Sequence, residues 1–318
     1  MRFIIDCAAV PSVGDIREQL ARETWRRNRL SAPAFGGGFL YLLSAIIISE
    51  TLNGAPTVGL LQGLKPAFSG EASPAVSPRA DEVKFISSHA FALIAGSTLV
   101  AIAIGMLTLI LLLLLDATRF RRPETWSYAG PLVIGGGIAV AVVSLAHQVV
   151  TAIETHSFAV GHDFSNHAVE QALTKGTANS IIDYVDLLAG LSLAAGMIAV
   201  MINALRVGLV PRWMGFLGML AAILIFLPIG GAELQLVPAF WIVMMGILYG
   251  GRWPGGEPPA WKAGEAVPWP SRADMQASAG ARGKQPALAG AGADAGPAPA
   301  PSPGGSSRKR RRKRGARG

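Results

Sequence analysis

The chain has 318 residues, 51% of them hydrophobic and 15% charged, with a mean hydropathy of +0.42 and a formal net charge of +8. That balance excludes an ordinary water-soluble domain, whose charged fraction is nearer a quarter. Cys7, the single cysteine, excludes an intramolecular disulfide framework and a multi-cysteine zinc site, and the apolar run before it, broken at Asp6, is too short for a lipoprotein signal.

A helix needs roughly 20 apolar residues to cross a hydrocarbon core about 30 Å thick, so the informative lengths are those of the windows free of Asp, Glu, Lys and Arg. Six windows qualify in chain order: Leu30 to Ser49, Phe85 to Leu115, Thr125 to Ile153, Leu187 to Leu205, Trp213 to Ala232 and Leu234 to Gly251. They predict an all-α, polytopic transmembrane bundle of six spans. The expected organisation is a basic N-terminal segment over residues 1–33, a membrane domain over 34–251 and a tail over 252–318. The first window opens with Ala32, Pro33 and Gly36 to Gly38, and the last has only 18 residues. For these two, a buried or re-entrant segment also fits the sequence.

Before the first window, Ile16, Leu20 and Trp25 alternate with Arg17, Arg22, Arg26, Arg27 and Arg29. This pattern predicts a short basic helix on the inner membrane surface, and a solvated helix without membrane contact fits it nearly as well. About thirty residues precede the first apolar core, which is not the layout of a cleavable signal. The loop after the first window is rich in Gly, Pro and Ser up to Pro78, and then reads as a charged helical lead, Arg79 to Lys84, into a long second span that must tilt or project. Span three has Pro131 in its first turn and then Gly135 to Gly137. Span four has Gly190, Ala194, Ala195 and Gly196, and span five has Gly215 and Gly218. Small residues in lipid let backbones approach closely, so packing within the chain is the expectation, with dimerisation the weaker option.

Basic residues should gather in alternate loops on the cytoplasmic side. With both termini inside, the inner segments hold 24 of the 28 Lys and Arg residues, and ten of the 20 acids fall outside. Inner net charge is +14 and outer net charge is −6. Trp25, Trp126, Trp213 and Trp253 fall near inner boundaries, where an amphipathic indole suits the headgroup layer. The predicted location is a bacterial inner membrane.

After Gly250, Trp253, Trp261 and Trp269 recur every eight residues among Pro and Gly, which predicts an extended, surface-hugging segment without a core. Residues 277–307 are dominated by Ala, Gly, Pro and Ser and read as disordered. Seven consecutive bases follow: Arg308, Lys309, Arg310, Arg311, Arg312, Lys313 and Arg314. Anionic lipid attracts each basic residue by about 1 kcal/mol near the surface, and the tail is tethered beside the bilayer. Lipid is therefore favoured over nucleic acid, which offers the same salt-sensitive attraction, and no specific nucleic acid is predicted. A solubilising tail that fixes topology without any particular partner is the bland alternative.

The candidate chemistry is confined to the outer side. His156, His162, Asp163, His167 and Glu170 form the constellation with metal-ligand character, because a helix from Asp163 onward would place Asp163, His167 and Glu170 on one face. No HExxH motif is present, and the five-residue separation of His162 and His167 does not align on a helix, so solvated loop residues are the favoured reading. No cofactor is expected, and no catalytic residue is nominated. Mid-span polar positions such as Ser44, Ser97, Thr108, Ser192 and Asn203 are expected to be satisfied by their own or neighbouring helices, which leaves a small-solute or metal transporter as the alternative function.

At Val207 to Leu220 (VGLVPRWMGFLGML) and Tyr249 to Pro270 (YGGRWPGGEPPAWKAGEAVPWP), the chain resembles a group of uncharacterised multi-pass membrane proteins of high-GC bacteria. The features shared are a Pro-Arg-Trp-Met-Gly turn between two spans and a Gly-Arg-Trp-Pro-Gly-Gly exit. Twenty-one Arg against seven Lys fits a GC-rich coding sequence. The resemblance implies a six-helix membrane fold and brings no catalytic residues. Together these readings predict a membrane protein, expected to be non-enzymatic, whose basic tail contacts anionic lipid headgroups or a cytoplasmic partner.

Overall fold

Backbone N–H and C=O groups in an apolar surrounding must be satisfied within their own segment, which favours long unbroken helices wherever charge is absent. The computed structural model describes residues 13–56, 58–59, 76–161, 163–175, 177–227, 232–254 and 256–269. Among the described residues there is no β-strand. Helix α1 is Val13–Asn53, α2 is Ala80–Ser88, α3 is Ala90–Arg121 and α4 is Ala129–Val160. A short α5, Asn166–Glu170, runs into one π-helical turn, Gln171–Lys175, and is followed by α6 (Thr177–Val207), α7 (Arg212–Phe226), α8 (Ala232–Tyr249) and a single turn α9 (Pro259–Ala263).

Four helices are long and apolar enough to cross a membrane: Ile16–Asn53 within α1, α3, α4, and Ser180–Val207 within α6. Helices α7 and α8 are apolar but have 15 and 18 residues, about 22 and 27 Å of rise, both short of a core about 30 Å thick. The fifth window had seemed longer because it was measured between charges and ran past Phe226, where α7 ends.

Helix α1 packs on α3 and α8, α3 on α4, α4 on α6, α6 on α7, and α7 on α8. These six helices therefore adjoin in a closed circuit, and α3 also meets α6 across it. Two glycines set the closest crossings. A Cβ on Gly136 of α4 would lie 2.7 Å from the Leu193 Cα of α6, and one on Gly246 of α8 would lie 2.9 Å from the Phe35 Cα of α1. Small residues here serve packing within the chain, as the sequence suggested. The interior is filled by Leu107, Leu111 and Leu114 of α3, Met197 and Met201 of α6, and Trp241 of α8, whose Nε1 donates to the Met214 carbonyl at 3.0 Å. Outward-facing Ile134, Ile138 and Val142 of α4, with Leu109, Phe216, Leu220 and Phe240, stay exposed. So much exposed apolar side chain suits hydrocarbon, not water.

Mid-helix hydroxyls are satisfied locally. Ser44, Ser97, Thr98 and Thr108 donate to carbonyls one turn earlier, Asn203 donates to Ala199, and Ser192 reaches across to Leu132 of α4.

Three expectations change. The N-terminal basic segment is not a separate surface helix: α1 runs unbroken from Val13 through Pro33 to Asn53. Its apolar positions Ile16 and Leu20 lie against Gly264, so packing on the chain's own exit segment replaces a lipid surface as their partner. The second window is interrupted at His89, whose ring stacks on Phe85 with centroids 4.0 Å apart, separating α2 from α3. Residues 256–269 are not an extended segment without a core, since Ala260 and Trp261 are buried in the main interior. Residues 270–318, including Arg308 to Arg314, lie outside the described residues.

Candidate functional site

On the side predicted to be outer, a small second core forms where Val83 of α2 meets Phe158 of α4 and Val169 and Ala172 of α5 and the π turn. The Ser77 N–H donates to the Phe164 carbonyl at 2.7 Å, and the Lys84 ammonium lies 4.3 Å from the Phe164 ring centroid. Arg79, just ahead of α2, forms a two-pronged pair with Glu82 at 2.7 and 3.0 Å, which raises the already high pKa of its guanidinium.

The described members of the predicted metal constellation sit around this cap without converging. Helix α5 begins only at Asn166, so Asp163 is not on the face shared by His167 and Glu170. Its carboxylate instead accepts the Ser165 N–H at 2.9 Å, while the Ser165 hydroxyl accepts from Ala168 as the N-cap. That backbone hydrogen bond, with a second from the Ser165 side chain, holds the Asp163 carboxyl below the usual carboxylate range. His156 and His167 are exposed, and His162 lies outside the described residues. Among the described residues, no group of three or more His, Cys, Asp or Glu side chains could hold a metal ion. Asp163 and Glu154 do line one pocket of about 390 Å³ beside Phe158 and Gln171.

The polar cluster with the strongest geometry is at the opposite end, built from segments far apart in sequence. Helix α6 leaves orphan carbonyls at its C-terminus, as every helix does. Ala204 O is taken by the N–H groups of Gly208 (φ +84°) and Leu209, and the exit segment satisfies the next carbonyls. The Val267 N–H donates to Val207 O at 3.0 Å, Trp261 Nε1 to Leu209 O at 2.9 Å, and Trp269 Nε1 to Val210 O at 2.8 Å. Arg212 returns a bond to Trp269 O at 2.9 Å, and Trp253 stacks on Trp213 with centroids 5.6 Å apart.

The Trp261 ring also meets two guanidinium groups, Arg27 at 4.5 Å and Arg121 at 5.3 Å from its centroid, with Tyr249 edge-on at 6.2 Å. The Arg121 side chain is fully buried. It meets both Glu23 oxygens at 3.1 and 2.9 Å, the Ala260 carbonyl at 2.9 Å and Ala117 at 2.8 Å. Arg27 pairs with Glu257, while its Nε is buried without a hydrogen-bond partner. Desolvating a buried ion pair can cost more than its attraction returns, and at Arg121–Glu23 the two further bonds from Arg121 to backbone carbonyls offset that cost. The cluster therefore clamps four chain segments together: the start of α1, the end of α3, the α6–α7 turn and the exit segment. Apart from Arg27 Nε, the polar groups named here are engaged with partners inside the chain, so the cluster docks these segments on one another.

The sequence showed the tryptophan spacing and the Val207–Leu220 and Tyr249–Pro270 motifs but not that they meet. Glu23, Arg121 and Glu257 gave no signal beyond ordinary charged boundary residues. Comparisons with models of known protein families, with curated proteins and with solved structures give no match. The fold and the clamp define an all-helical protein with four helices capable of crossing a membrane.

Proposed function

We propose that the chain is a six-span, non-enzymatic protein of a bacterial inner membrane, with both termini cytoplasmic, whose polybasic run Arg308 to Arg314 contacts anionic lipid headgroups or a cytoplasmic partner. The observation that carries this reading is the agreement between charge and end-to-end placement. The segments assigned inside, with net charge +14, include the start of α1, Arg121, the α6–α7 turn and residues 252–269, and all of these meet in the clamp. The opposite end gathers segments of the acidic side. Helices α7 and α8 count as spans five and six in this reading, because their hairpin leaves the clamp at Arg212 and returns to it at Tyr249, which donates to Ile110 O of α3 at 2.8 Å. With residue 269 held at that end, the tail starts at the membrane face where anionic lipid resides.

The test uses full-length protein in neutral-lipid nanodiscs incubated with anionic vesicles. Full-length protein should bind at low salt and release at high salt, and a variant lacking Ser307 to Gly318 should insert normally but not bind. Equal binding by both would overturn the lipid reading.

A further inference from the structure

Between the N-terminal half of α1 and the C-terminal half of α3 runs a groove of about 270 Å³, with Trp25, Arg26 and Arg29 on one wall and Leu109, Leu113 and Asp116 on the other. Its two ends differ in chemistry. At one end, Arg26 and Arg29 stand three residues apart and so share a helix face. Arg29 stacks 4.1 Å from the Trp25 ring centroid and has no carboxylate partner among the described residues. Arg26 contacts Asp116 at 3.3 Å with both side chains more than half exposed, a pair weak enough to exchange for a better anion. From Asp116 the α3 wall continues for seven residues to Leu109, about 10 Å of rise; Leu109 is half-exposed and Leu112 partly exposed, while Leu113 between Asp116 and Leu112 is buried.

We propose that this groove binds one anionic phospholipid, its phosphate on Arg26 and Arg29 and one acyl chain along Leu112 and Leu109. Arginine matches phosphate oxygens with two parallel N–H donors, and Trp25 marks the headgroup layer. A free phosphate would engage the arginines and leave the leucine wall uncovered; an amphiphile covers both. The site is stoichiometric, unlike the diffuse attraction of the tail, and it rests on the reading of α1 and α3 as membrane spans with this end at the anionic leaflet.

The experiment is native mass spectrometry of delipidated protein lacking Ser307 to Gly318, titrated with dioleoyl phosphatidylglycerol or dioleoyl phosphatidylcholine. One phosphatidylglycerol should bind in preference to phosphatidylcholine. Arg29→Gln should weaken it about tenfold or more, the scale of one charged hydrogen bond. Arg22→Gln, which removes an exposed charge from the same helix away from the groove, should not. Leu109→Gln keeps every charge and should also weaken binding, while millimolar inorganic phosphate should not displace the lipid. Equal losses from Arg29→Gln and Arg22→Gln, equal binding of the two lipids, or displacement by phosphate would overturn the site. Release of the protein from membranes by alkaline carbonate would instead overturn the membrane reading on which it rests.

Discussion

Replacing Trp261 with alanine tests the clamp most directly, because this one side chain joins all four of its segments. The indole is 5% exposed, donates to Leu209 O at 2.9 Å, and lies within 4.5 and 5.3 Å of two guanidinium groups. Truncating a buried Trp costs about 3–5 kcal/mol from lost burial and the void that remains. Much of that should fall on docking of residues 256–269 and not on the whole bundle, since the α4–α6 and α1–α8 crossings do not involve Trp261. At 1.36 kcal/mol per tenfold, local opening should become about two to three and a half powers of ten more frequent. Hydrogen exchange of the Val267 amide, which bonds Val207 O, reports this opening, and amides near Leu111 and Met197 serve as the internal reference. Unchanged exchange at Val267 would refute the clamp. Equal acceleration at the reference amides would show that Trp261 supports global stability and not local docking.

Three more outcomes follow from the same geometry. Glu23→Leu alone strands the buried Arg121 charge and should lower stability in detergent by about 3–5 kcal/mol, whereas Glu23→Leu with Arg121→Met should recover most of the loss in thermal unfolding. Gly136→Val pushes a branched side chain into the Leu193 backbone and should sharply lower the unfolding temperature. Gly135→Ala, with nothing within 4 Å of its Cβ, should leave it unchanged or raise it slightly. Asp163 has a depressed folded pKa, so its contribution to the turn before α5 is present above the unfolded value of about 3.9 and is lost as pH falls through the lower folded value. Protection of the Ser165 amide should therefore hold from pH 7 to about 5 and decline below about 4, and Asp163→Ala should abolish that step.

The long helices were legible because apolar windows between charges report directly on what can be buried, and each of the six windows overlaps a helix. Window length was less informative at α7, where residues beyond the helix end carry no charge and so went unnoticed. The metal face failed on a local detail, since Asp163 and Ser165 form the turn that starts α5 and Asp163 cannot also lie on it.

By itself the sequence determined that this chain is an apolar, all-helical protein, because burial acts residue by residue. Only the tertiary structure decided that the tryptophan-rich exit is packed and not extended, and that Glu23, 98 residues from Arg121, is its buried counter-charge. Pairing of that kind depends on which helices become neighbours, and the circuit that brings α1, α3 and the α6–α7 turn to one end is set by crossings such as Gly136 on Leu193, not by any local pattern of residues.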